Sequence, residues 1–168
     1  MTEKTNHCRM IEEYFTKERG YLMESRIRQT IELHKKGYNC AQSIACTYCD
    51  LVGIDEKTAL RATEGFGAGM GGMQATCGAI SGAVFLAGLK EADGVLGAPK
   101  SKTKTYKLSR TIVEAFRQKN GTTICKELKA KDPETGKVKR DCDGCIMDAA
   151  AIAEILLFSD NHYYRLSR

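Results

Sequence analysis

Apolar residues recur along this chain three and four positions apart, and no stretch alternates apolar and polar residues for long. This spacing is typical of helices that bury one face. Near the N-terminus it predicts a short helix that ends near Gly20 and a second helix that ends at Gly37. The apolar positions of these two helices are Met10, Ile11, Tyr14 and Phe15, then Leu22, Met23, Ile27 and Ile31.

The same spacing continues to the C-terminal part of the chain. It predicts helices from Cys40 to about Val52, from Asp55 to Glu64, from Cys77 to about Lys90, around Leu108 and ending at Asn120, from about Thr123, and from about Cys145 to Phe158. The last helix is apolar nearly all round, since only Asp148 and Glu154 are charged after Cys145. Such a helix lies at the centre of a bundle or in a homodimer contact.

These elements predict an all-α protein, a compact helical bundle with one glycine-rich loop. We expect an N-terminal helical arm over residues 1–36, a helical domain over 37–158 and a tail over 159–168. A chain of 168 residues buries enough apolar surface to fold without disulfides.

Eight cysteines are the unusual feature of the composition. Residues 1–6 are polar, and no apolar stretch approaches the roughly 20 residues of a membrane span. We therefore expect a cytoplasmic protein, and in a reducing compartment such a cysteine count favours metal binding or thiol chemistry over structural disulfides.

The net charge of +5 comes largely from two basic segments, Lys100–Arg110 and Lys129–Arg140. No nucleic-acid-binding motif accompanies them. We therefore interpret both as solvated loops and helix faces, and we expect no nucleic-acid partner.

Five cysteines share a position at the start of a predicted helix: Cys40, Cys77, Cys125, Cys142 and Cys145. Asn39 and Gln42 have the spacing of a capping box around Cys40, Thr76 is the cap candidate before Cys77, and the segment Asp141–Cys145 opens the last helix. Free N–H groups at a helix start favour the thiolate and lower the pKa of a thiol. Thiolates bind iron and zinc and attack disulfides, so we predict that these sulfurs converge on one site.

The remaining cysteines and the histidines carry simpler interpretations. Cys46 and Cys49 lie in mid-helix and are expected to be small buried hydrophobes, and Cys8 is expected to be an incidental thiol. His7, His34 and His162 have no partner at helical spacing, so we interpret them as surface histidines.

The segment Gly65–Gly72 holds five glycines in eight residues. It lacks the G-K-[ST] of a nucleotide loop and follows a helix, so we expect its backbone to pass close to Cys77, a cofactor or a neighbouring chain. We interpret Met70 and Met73 as core-filling residues rather than lids over that site. Gly78 and Gly82 leave a bare strip on their helix for tight packing.

Three stretches of this chain resemble the C-GCAxxG-C-C family of redox-active proteins. They are Gly37–Gln42, Gly65–Gly71 and Thr76–Ala83, and the last contains the motif Cys77-Gly78-Ala79-Ile80-Ser81-Gly82. The family's third cysteine matches Cys125; its fourth matches Cys142 best, although Cys145 is an alternative. The resemblance covers residues 37–157.

The resemblance implies a small, mostly helical redox or metal-cluster protein, in some cases associated with a transporter. A related domain occurs in a multihaem cytochrome with an iron–sulfur site, which favours a cluster. No C-x-x-C-H motif is present, so covalent haem is not expected. The chain departs from the family pattern by its additional cysteines.

Three functions remain open from the sequence. The first is electron transfer to an unidentified redox partner by an iron–sulfur cluster on Cys40, Cys77, Cys125 and Cys142 or Cys145, with Gly78 among the cofactor-binding residues. The second is a thiol–disulfide oxidoreductase or redox sensor that uses Cys40 with Cys77, or Cys142 with Cys145. The third is a zinc-binding adaptor that serves a transporter.

Overall fold

The computed structural model describes residues 25–159, which fold as an all-α bundle, as predicted. Its helices are α1 Ile27–Lys35, α2 Cys40–Tyr48, α3 Glu56–Thr63, α4 Gly78–Glu91, α5 Lys102–Asn120, α6 Cys125–Leu128 and α7 Cys142–Ala153. Single turns cover Cys49–Val52, Glu64–Phe66, Gly67–Met70 and Glu154–Phe158. Within this range there is no β-strand, only isolated bridges at Thr76–Ile124 and Lys131–Val138. The helix predicted around Met10 lies outside the described residues.

The predicted start of α2 is confirmed in atomic detail. The Asn39 side chain accepts hydrogen bonds from the backbone N–H groups of Ala41 and Gln42, and the Gln42 side chain accepts one from the N–H of Asn39. This capping box satisfies N–H groups that have no partner within the helix. It places Cys40 as the first residue of α2.

The starts of α3 and α7 can also be compared with their predictions, and only that of α3 lies at the predicted residue. Asp55 caps α3 through the N–H of Thr58, as predicted. The last helix begins at Cys142, three residues before the predicted start, because the Asp141 side chain accepts the N–H of Gly144 at 2.7 Å. Both Cys142 and Cys145 therefore lie in the first turns of α7.

Helix α4 packs closely against α2 through the predicted glycine strip. A Cβ atom on Gly82 would lie 2.7 Å from the carbonyl oxygen of Ala41 and 3.0 Å from the Cβ of Ile44. A Cβ atom on Gly78 would lie 2.9 Å from the carbonyl oxygen of Phe66. Glycine at these positions allows the two backbones, and the cysteines that they carry, to come together.

Helix α7 lies at the centre of the bundle. Its residues from 148 to 153 are all buried within the chain. Buried Glu154 follows the helix and accepts hydrogen bonds of 2.7 Å from the Tyr48 hydroxyl and from the Arg26 backbone N–H. This burial fits the bundle-centre interpretation, and the homodimer contact stays a prediction. In residues 25–159 no helix has the length and apolar character needed to cross a membrane.

Candidate metal and redox site

Five cysteine side chains converge at the starts of four helices. Cys40 and Cys142 share a side-chain hydrogen bond, and Cys77 shares one with Cys145. Cys125 lies near enough to Cys77 and Cys142 to interact with their charges. We call these residues the five-thiol cluster. The structure thus brings together every cysteine that the sequence placed at a helix start.

The cluster is buried on one side and reaches solvent on the other. Cys77, Cys125 and Cys145 are buried, whereas Cys40 and Cys142 are partly exposed. The first three sulfurs are therefore shielded by the bundle, and the Cys40–Cys142 pair forms the solvent-facing side of the cluster.

The cap of α4 differs from the prediction. Cys77, not Thr76, is the N-cap residue, and the helix begins at Gly78. The backbone N–H groups of Ala79 and Ile80 help to lower the pKa of the Cys77 thiol, although its side chain makes no capping hydrogen bond. The start of α4 therefore favours this thiolate through its free N–H groups and its dipole.

The thiol pKa values diverge within each hydrogen-bonded pair. The pKa of Cys142 is lowered, chiefly by the hydrogen bond from Cys40, and that of Cys77 is lowered, chiefly by the hydrogen bond from Cys145. Cys40 and Cys145 have raised pKa values, chiefly because of the same hydrogen bonds and secondly because desolvation disfavours their thiolates.

The expectation that every helix start lowers a thiol pKa is therefore wrong for three of the five cysteines. These are Cys40, Cys125 and Cys145. At Cys125 burial is the main cause of the raised pKa, because desolvation disfavours the thiolate more than the short helix favours it.

Lys129 is a cation of the site that the sequence did not reveal. Its Nζ donates to the carbonyl oxygen of Arg140 at 3.0 Å and lies 3.8 Å from the Sγ of Cys145. Burial lowers its pKa, but charge interactions with Cys145 and Cys142 and a hydrogen bond with Cys142 outweigh this effect and raise it. The Nε of Arg140 donates a 3.0 Å hydrogen bond to the buried Asp148 carboxylate, and this contact fixes the Arg140 side chain.

The solvated interpretation of the segment Lys129–Arg140 is thus wrong for Lys129. The side chain is partly buried and turns toward the sulfurs. One clue was present in the sequence: Lys129 follows Cys125 by four residues, which is about one helical turn.

His34 also lies beside these cysteines, which its interpretation as a surface histidine did not predict. A ring nitrogen of His34 and the sulfurs of Cys40 and Cys142 all lie within 4.8 Å of one another. The His34 Nδ1 is 2.7 Å from the Oδ1 of Asp143. The pattern of apolar positions gave no indication of this, because the turn at Gly37 separates His34 from Cys40.

The glycine-rich segment passes beside Cys125. Gly69 has a left-handed backbone, with φ of +55°, and a Cβ there would lie 2.6 Å from the Cβ of Cys125. The predicted close approach of the backbone is confirmed, with Cys125 as the neighbour at this glycine. The prediction that Met70 and Met73 fill the core is wrong, since they are 50% and 45% exposed.

The cysteines outside the cluster behave as small hydrophobes where the structure describes them. Cys46 and Cys49 are buried and pack with Ala45 and Ala59, as predicted. Cys8, like His7 and His162, lies outside the described residues.

The arrangement supplies soft sulfur donors, one imidazole and one ammonium group in a half-shielded pocket. Five thiols cannot all ionise beside a single lysine without large mutual repulsion. Protons, a metal ion or disulfide bonds must therefore neutralise the cluster, and thiolates are ligands for zinc, iron and other soft metals.

Comparison with known proteins agrees with this chemistry. The family described as "Putative redox-active protein (C_GCAxxG_C_C)" matches residues 38–156 of this chain. No curated protein and no solved structure gives a significant match. Since the family match covers well over half of the sequence, this chain belongs to the C_GCAxxG_C_C family.

Proposed function

We propose that the five-thiol cluster binds an iron–sulfur cluster and that the protein carries electrons through it. The observation that supports this most directly is the convergence of five sulfurs from four separate helix starts. Iron–sulfur clusters are held by cysteine thiolates and supply one-electron redox chemistry.

The donor set fits such a cofactor. Cys40, Cys77 and Cys125 would be ligands, together with Cys142 or Cys145. The N–H groups of Ala79 and Ile80 that face Cys77 belong to the class of interactions that tunes the reduction potential of a bound cluster. Lys129 offsets part of the negative charge of the thiolates.

The glycines beside the sulfurs also fit a cofactor. Gly69 lies against Cys125, and a Cβ on Gly78 would lie 3.3 Å from the Cβ of Cys40. Larger residues at these positions would push the backbone away from the cysteines.

The first prediction concerns metal content. The full chain, purified without air, is expected to contain iron and acid-labile sulfide and to show a broad visible absorption that dithionite bleaches. The Cys46→Ser variant is the matched control and should keep all three properties, since Cys46 is a buried cysteine outside the five-thiol cluster. Comparison of Cys142→Ser with Cys145→Ser then identifies the fourth ligand.

A colourless protein without iron or sulfide would contradict this proposal. If that protein instead held stoichiometric zinc and showed no redox wave, a zinc-binding adaptor would replace the electron carrier as the best description of the chain.

A second candidate function, thiol–disulfide exchange, is favoured by the contact between Cys40 and Cys142. In this candidate the Cys142 thiolate attacks a substrate disulfide, which forms a mixed disulfide and releases one substrate thiolate. Deprotonated Cys40 then attacks the Cys142 sulfur and releases the second, so that two protein thiols are oxidised as the substrate is reduced. The contact pairs are Cys40–Cys142 and Cys77–Cys145, not the pairs proposed from the sequence.

The second prediction tests this exchange on metal-free, reduced protein treated with oxidised glutathione. Peptide mapping is expected to show a Cys40–Cys142 crosslink, because a low-pKa exposed thiol next to a second thiol is the usual arrangement of a reactive pair. Cys46 and Cys49 should remain open to alkylation after unfolding. Identical maps with and without oxidised glutathione would exclude this function.

A further inference from the structure

Three potential metal-ligand atoms, one nitrogen and two sulfurs, lie at the solvent-facing side of the five-thiol cluster. They are a ring nitrogen of His34 and the sulfurs of Cys40 and Cys142, mutually within 4.8 Å. Two thiolates and one imidazole form a ligand set that suits zinc and other thiophilic divalent ions.

Asp143 prepares His34 for this role. Because a carboxylate can only accept, the 2.7 Å contact between its Oδ1 and the His34 Nδ1 requires a hydrogen on Nδ1. When the ring is neutral, its lone pair is then on Nε2, and no hydrogen bond to Nε2 occurs within residues 25–159. Histidines that ligate metals almost always donate their other ring N–H to a carboxylate, a backbone carbonyl or water.

We propose that His34, Cys40 and Cys142 together bind one thiophilic divalent metal ion through two sulfurs and one nitrogen. The proposal concerns protein without an iron–sulfur cluster, since Cys40 and Cys142 are also candidate ligands of that cofactor. It adds a nitrogen ligand, His34, which precedes the 38–156 region shared with the family.

Cobalt(II) is the probe for the test, because its absorption reports both thiolate ligands and tetrahedral geometry. The metal-free, reduced full chain is titrated with Co²⁺ without air, and Zn²⁺ is added in competition. His34→Ala is expected to weaken Co²⁺ binding at least tenfold and to shift the visible bands, while keeping the sulfur-to-cobalt charge transfer. His34→Gln should behave in the same way.

The neighbouring exposed residue supplies the control. Lys35→Ala removes a side chain from the same end of α1 and should leave the Co²⁺ spectrum and affinity unchanged. Asp143→Asn should weaken binding by about 10–100-fold, as expected when the partner of a ligating histidine is lost. Far-UV circular dichroism of every variant checks that the helices are retained.

The outcomes separate this proposal from the proposed function. If wild type and His34→Ala bind Co²⁺ with equal affinity and identical spectra that show thiolate charge transfer, His34 is not a ligand, while metal binding by the cysteines stands. If wild type binds no Co²⁺ through thiolates and also holds no iron, both proposals are overturned.

Discussion

Replacement of Cys77 with serine is expected to reduce the iron content of the anaerobically purified protein to less than a tenth of the wild-type value. Cys77 is the N-cap of α4 and exchanges a hydrogen bond with Cys145. Serine is itself a preferred N-cap residue, so the helix start should survive the substitution. The change therefore removes one sulfur ligand with little effect on the fold.

The measurement is iron and acid-labile sulfide per chain, together with the thermal midpoint of unfolding. Cys49→Ser is the matched control: it replaces a buried cysteine outside the five-thiol cluster, and its metal content should stay at the wild-type level. Wild-type iron in a correctly folded Cys77→Ser variant would show that Cys77 is not a ligand.

The second large effect is expected for Gly82→Ala compared with Gly88→Ala on the same helix. A methyl group at Gly82 would lie 2.7 Å from the Ala41 carbonyl oxygen, whereas a methyl group at Gly88 would have no neighbour within 4 Å. Overpacking at Gly82 should lower the free energy of unfolding by about 1–3 kcal/mol. At Gly88 the better helix propensity of alanine should raise it by up to about 1 kcal/mol.

The two identical substitutions should therefore move stability in opposite directions. Denaturant unfolding of the two variants checks this, and in thermal unfolding the midpoint temperature should change by about 2–4 °C for each kcal/mol. Because Gly82 lies in the contact between α2 and α4, which carry Cys40 and Cys77, Gly82→Ala should also reduce metal content. Equal stability of both variants would contradict the close contact between these helices.

Helix starts were the part of the site that could be predicted from the sequence. A capping residue, the first turn and the following apolar stripe are local features, so Asn39 predicts where α2 begins and the segment Asp141–Cys145 predicts the first turns of α7. The cysteines beside them lie at the same positions. Four helix starts that each carry a cysteine therefore suggest one shared site. The bundle then brings the four starts together.

The groups that complete the site could not be predicted in this way. His34 reaches Cys142 across more than a hundred residues of sequence, and its partner Asp143 belongs to another helix. The pairing of Cys40 with Cys142 likewise depends on how α2 and α7 pack. The protonation of each thiol depends in turn on this pairing, and for this reason the helix-start argument failed for Cys40 and Cys145.

The sulfurs of the five-thiol cluster are shielded unevenly, so reagents from solvent can reach only one side of it. Chelators, peroxide and molecular oxygen arrive from water and meet Cys40 and Cys142 before the three enclosed cysteines. Oxidative damage should therefore start at Cys40 and Cys142.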